Sequence, residues 1–119
     1  VPRTMLGPWK NAVSHEDIED MFAALRPITL KAMFGGNGIY HQGLIVACAF
    51  DGDVVLKADA VSAPAFEAAG AQRWSYEGKG GKVIMMPYWS IPDDAYDDPD
   101  QMAGWVRLAF EAALRAQAK

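Results

Sequence analysis

Two glycine-rich segments and one Lys-x-Asp pair are the places in this 119-residue chain where residue type and spacing invite chemistry. In Met33-Phe34-Gly35-Gly36-Asn37-Gly38 the open backbone would let successive N–H groups cradle a phosphate or other anion. Both nucleotide-binding glycine motifs, however, need a helix after the loop. Here Ile39 to Phe50 has the pattern of a strand, and no Lys-Ser or Lys-Thr follows the glycines. A tight hairpin with positive-φ positions is therefore the favoured reading of Gly35 to Gly38. Lys79-Gly80-Gly81-Lys82 could hold an anion between two ammonium groups, but it also fits a solvated hairpin tip, which we favour. Lys57 and Asp59 would point to the same side of an extended chain. They read as a surface ion pair, worth about 0–1 kcal/mol when exposed, or as part of a small polar site.

Other candidate constellations are weaker. His15 and His41 are the only histidines and Cys48 the only cysteine, so no metal-ligand spacing is present. Cys48 and His41 stand seven residues apart in one expected strand, on opposite faces and roughly 23 Å from each other. No serine lies in a nucleophile-elbow context. The acidic run Asp93, Asp94, Asp97, Asp98, Asp100 lacks the glycine and closing glutamate of a calcium loop, and helix capping explains it more simply. Trp74, Tyr76, Met85, Met86, Tyr88 and Trp89 crowd one expected hairpin. Alternation puts Met86 with Tyr88 on one face and Met85 with Trp89 on the other. One face must be core, and the other would be covered by a helix or exposed for a partner. Met85 and Trp89 are the candidate interaction patch.

The elements that would position these residues follow from periodicity and punctuation. Ser14 is a suitable N-cap, acids fill the first turns, and Ile18, Met21, Phe22 and Leu25 form one apolar stripe, so Ser14 to Leu25 is expected as a helix ending before Pro27. Ile28 to Phe34, Ile39 to Phe50 and Asp53 to Ala58 read as three antiparallel strands, with Gly43 as a bulge and Asp51-Gly52 as a hairpin turn. Val61 to Ala69 is a short helix closed by Gly70. Arg73 to Glu77 and Lys82 to Trp89 form a second hairpin across Gly78 to Gly81. An acidic connector leads through Pro99 into a last helix ending near Ala116. Its stripe of Met102, Trp105, Val106, Ala109 and Ala113, widened by Leu108, Phe110 and Leu114, needs the sheet and either another helix or a second subunit. The order α-β-β-β-α-β-β-α gives a two-layer α+β domain with a five-stranded antiparallel sheet over residues 14–118, behind a flexible tail, residues 1–13. Part of that tail, Val1-Pro2-Arg3, reads as a vector-derived remnant.

Composition sets the outer limits. Hydrophobic residues make up 51% and charged residues 22%, with a net charge of −4. That is a globular composition whose summed field repels polyanions. A lone cysteine points to a reducing compartment, by default the cytoplasm. No apolar run reaches the length of a membrane span, and residues 1–13 show no signal-peptide core.

Six short motifs, in order, resemble the TfoX N-terminal domain family, also called Sxy. They are Lys31-Ala32-Met33-Phe34-Gly35-Gly36-Asn37-Gly38-Ile39-Tyr40; Leu56-Lys57-Ala58-Asp59; Phe66-Glu67-Ala68-Ala69-Gly70; Tyr76-Glu77-Gly78-Lys79-Gly80-Gly81-Lys82; Met86-Pro87-Tyr88-Trp89 with Pro92 to Asp98; and Trp105 followed by Ala109 and Ala113. The resemblance spans about residues 14–118. It singles out Met33, Phe34, Gly35, Gly36, Gly38, Tyr40, Lys57, Asp59, Gly81, Met86, Tyr88 and Trp105 as family-motif residues. An Arg often stands where this chain has Lys31, and the second, helix-hairpin-helix-like domain of the full-length competence regulators has no counterpart here. The resemblance implies a fold similar to secretion chaperones, a homodimer, and regulation through a transcription factor such as the cyclic-AMP receptor protein. It implies no catalytic residue and no cofactor.

Three functional classes follow. The expected one is a non-enzymatic, protein-binding regulatory domain that self-associates. The alternative is a small-molecule or anion-binding protein, or an enzyme, built on the glycine turn with Lys31, Lys57, Asp59 and Tyr40. Direct DNA binding is disfavoured by the net charge and by the lack of a basic recognition helix.

Overall fold

The computed structural model describes residues 15–33, 36–50 and 53–118. The expected tail, residues 1–13, lies outside them, as do Phe34, Gly35 and the Asp51-Gly52 turn. The chain runs α1 (His15–Met21), a 3₁₀ turn (Ala23–Leu25), β1 (Ile28–Met33), β2 (Gly36–His41), β3 (Leu44–Phe50), β4 (Asp53–Lys57), α2 (Ala63–Ala68), β5 (Arg73–Glu77), β6 (Val83–Ser90), a 3₁₀ turn (Asp93–Asp97) and α3 (Pro99–Ala118). The strands form one antiparallel sheet in the order β1-β2-β3-β4-β6-β5.

The sheet has six strands where the sequence led us to expect five. The long strand Ile39 to Phe50 is two, and Gly43 is a turn residue and not a bulge. Gln42 and Gly43 have φ of 51° and 82°. That pair of left-handed residues makes the tight two-residue hairpin whose twist matches its flanking strands. The glycine expectation also shifts: Gly36, Asn37 and Gly38 belong to β2 and pair with both β1 and β3. Gly36 is a close-approach glycine, since a Cβ there would collide with the Ala49 carbonyl oxygen. The bulge in this region is at Val46, which is skipped where the register moves from Ile39–Ala47 to Tyr40–Ile45.

The helices cover one face of the sheet. Ile39, Ala47, Ala49, Val54 and Leu56 from the strands meet Ile18, Phe22, Met102, Val106 and Ala109 from the helices in a single core. α1 is shorter than expected, because the chain leaves the α-helix after Met21 and completes the stripe through a 3₁₀ turn that still buries Leu25. The wide stripe of α3 finds its partners within the chain. Met102, Val106, Ala109 and Ala113 enter the core, and Phe110 lies edge-on against His41 with ring centroids 4.7 Å apart. Leu114 stays exposed. The six residues of α2 are too few to hold a helix alone. They are anchored by Phe66, fully buried with its ring 4.7 Å from Trp105 and 6.2 Å from Trp89. Burying such a side chain contributes about 1.5–3 kcal/mol. No helix among the described residues is long and apolar enough to cross a membrane.

Candidate functional site

Antiparallel strands alternate their side chains between faces, so the sheet has a second face, opposite the helices. No described helix lies over it. Tyr40 of β2, Cys48 and Phe50 of β3, Lys57 of β4, Trp74 of β5 and Tyr88 of β6 meet there. Phe50 and Trp74 stack at 4.9 Å between centroids, and the Trp74 ring meets Tyr88 edge-on at 6.2 Å. Two ammonium groups stand over this aromatic surface: Lys31 is 4.8 Å from the Tyr40 centroid and Lys57 is 5.5 Å from that of Tyr88. Tyr88 is buried among these neighbours, on the same face as the Cys48 thiol. Burial pushes both the Tyr88 phenol and the Cys48 thiol up from their ordinary values. Both are neutral at physiological pH, and Cys48 is a packed hydrophobe with no thiolate character.

A cleft of about 470 Å³ opens at the end of β4, between β6 and the last turns of α3. The expected Lys57–Asp59 ion pair is not formed. Asp59 instead takes two hydrogen bonds from Arg115, from Nε at 2.6 Å and Nη2 at 2.9 Å, while Lys57 stands over Tyr88. A residue two positions away competes poorly with a guanidinium whose planar fork matches the carboxylate. Asp59 Oδ1 also accepts from the amides of Val61 and Ser62, and the Asp59 amide donates to Ser62 Oγ. This is the reciprocal pattern of a capping box, set just ahead of α2. The Arg115 hydrogen bonds, with those from Ser62, hold the Asp59 carboxyl well below the usual carboxylate range.

The other singled-out residues take structural places. Met33 ends β1 opposite Gly36. Gly38 is buried between Lys31 and Cys48. With residues 36–38 in a strand flanked on both sides, their backbone is committed to the sheet and offers no anion cradle. Gly81, with Gly80, has positive φ in the exposed β5–β6 tip. The Met86 carbonyl accepts from Arg73 Nε at 2.7 Å. Trp105 packs on Phe66. Of the patch Met85 and Trp89, Trp89 is half-buried beside Phe66 under the helices, and Met85 is 51% exposed. His41 is closer to Cys48 than expected, because the turn at Gln42-Gly43 folds β3 back along β2. The two still face opposite sides: His41 Nδ1 donates to the Pro27 carbonyl on the helix side at 2.9 Å. No group of three His, Cys, Asp or Glu gathers among the described residues.

Sequence reasoning missed Arg73 and Arg115. Arg115 is 56 positions from Asp59, and only its place as a cation in the last turn of a helix set it apart. Nothing local marked Arg73.

The class defined is thus a two-layer α+β domain with helices on one face of an antiparallel sheet and an aromatic, lysine-bearing surface on the other. The family model of the TfoX N-terminal domain matches residues 20–113, and the chain belongs to that family. No curated protein matches it.

Proposed function

We propose that this domain is a non-enzymatic, regulatory protein-interaction module of the competence-regulator type, and that it engages its partner through the aromatic face of the sheet. The observation that carries the reading is the aromatic row Tyr40, Phe50, Trp74 and Tyr88 with Lys31 and Lys57 above it. Aromatic anchors beside long cationic side chains are the composition of protein-binding hot spots. The two lysines favour a partner surface that joins apolar groups to carboxylates. Family membership supports a transcription factor such as the cyclic-AMP receptor protein as that partner. The buried thiol and phenol of the face, Cys48 and Tyr88, are poor nucleophiles at neutral pH, in keeping with a binding surface.

The test is calorimetric titration of the purified chain against the cyclic-AMP receptor protein of its own organism, with and without cyclic AMP. We expect binding that Lys31→Glu weakens and Trp74→Ala weakens about tenfold or more, with far-UV circular dichroism unchanged. Binding indifferent to both substitutions would move the interface elsewhere. No binding, together with a strict monomer by sedimentation across dilutions, would remove the interaction reading. A dimer abolished by the same substitutions would make a second copy the occupant of this face.

A further inference from the structure

We infer that the cleft between β4, β6 and the end of α3 is a binding site for a small organic anion: a doubly charged phosphate or dicarboxylate head on a compact apolar body. The inference is independent of docking through the opposite face. At about 470 Å³ the cleft has the size of small-molecule sites. Two guanidinium groups from separate elements line it, Arg73 at the start of β5 and Arg115 in the last turn of α3; Lys57 also borders it, but its ammonium stands over Tyr88 on the opposite face. Asp59 is the single carboxylate among its lining residues. The local balance is therefore positive in a chain of net charge −4. The carbonyl end of α3 offsets part of it, by about half a charge.

The cations are held in place. Arg73 sits opposite Trp89 across the β5–β6 ladder, so both side chains share a face. Its Nε donates to the Met86 carbonyl at 2.7 Å, which fixes the guanidinium plane and leaves four N–H groups for a ligand. Arg115 spends two N–H groups on Asp59, keeping the others. Planar forks anchored in this way recognise phosphate and carboxylate oxygens in pairs. The remaining wall is apolar and small. Ala63, Ala112 and Ala116 leave the hollow unfilled, and Trp89 and Pro87 offer flat surfaces to a ligand's body.

Nuclear magnetic resonance titration of the full chain with inorganic phosphate, phenyl phosphate and phthalate tests the site. We expect localised shifts at Asp59, Arg73 and the last turn of α3. Phenyl phosphate should bind more tightly than inorganic phosphate, because only it uses the apolar wall. Comparing phenyl phosphate with phthalate tells a phosphate site from a carboxylate site. Arg73→Gln should weaken the better ligand about tenfold, and Asp59→Asn should tighten it by removing the competing carboxylate. Arg107→Gln, the same charge change at an exposed position of α3 outside the cleft, should leave it unchanged. Equal weakening by Arg107→Gln and Arg73→Gln, or the absence of localised shifts up to about 10 mM ligand, would overturn the inference.

Discussion

Replacing Asp59 by alanine separates what its carboxylate does for folding from what it does for charge. In the folded chain that carboxylate accepts from the Val61 and Ser62 amides at 3.1 Å each, and from Arg115. Losing the acceptor of a helix-entry turn costs about 1 kcal/mol, a real share of a total near 5–15 kcal/mol. The ion pair adds little beyond this, since its two side chains are 29% and 35% exposed and water resolvates the freed guanidinium. Thermal unfolding followed by circular dichroism at neutral pH should therefore show Asp59→Ala lower by about 4 °C. Asp59→Asn keeps an oxygen for the same two amides and ranks with Asp as a cap, so its loss should be less than half as large. Asparagine as damaging as alanine would mean that charge, and not capping, is what Asp59 supplies. An alanine variant as stable as the parent would refute both roles.

Other expectations follow from the same structure. Gly36→Ala should destabilise by about 2 kcal/mol or more, because its Cβ would meet the Ala49 carbonyl and force β2 and β3 apart. Gly104→Ala, on an exposed turn of α3 with nothing within 4 Å, should stabilise by about 0.5–1 kcal/mol; urea unfolding of the two variants checks the opposite signs. The Asp59 carboxyl has a folded-state value below its unfolded one, so its contribution is complete above about pH 4 and is lost as the pH falls further. The stability profile of Asp59→Asn should accordingly be flatter than that of the parent on the acid side, and parallel profiles there would contradict the depressed value.

The parts of this fold legible in the sequence are those whose signal is local. The stripe Ile18, Met21, Phe22 and Leu25 and the stripe of α3 identified two helices, because an amphipathic face repeats within a few turns. The hairpin at Gln42-Gly43 was hidden, because Gln42 is not a residue that advertises positive φ and the apolar pattern runs on through both strands. The role of Gly36 is set by β3, a different strand, so the glycine was visible and its reason was not. Of the site, Tyr40, Lys57, Asp59 and Tyr88 could be picked out singly. Their grouping could not be, because alternation places Tyr40 and Tyr88 on one face only once the strand order is known. Asp59 was matched to the nearest cation in sequence, while the geometry chose Arg115 from the far end of the chain.

The Asp59–Arg115 clasp has a practical consequence for where this domain may be cut. The match to the family ends at residue 113, and Arg115 lies two positions beyond it. A fragment trimmed to that limit would retain every strand and the core-facing residues of α3, yet it would sever the tie between its last helix and the turn ahead of α2. Such a shortened protein would give a truthful picture of the scaffold and a misleading one of the cleft.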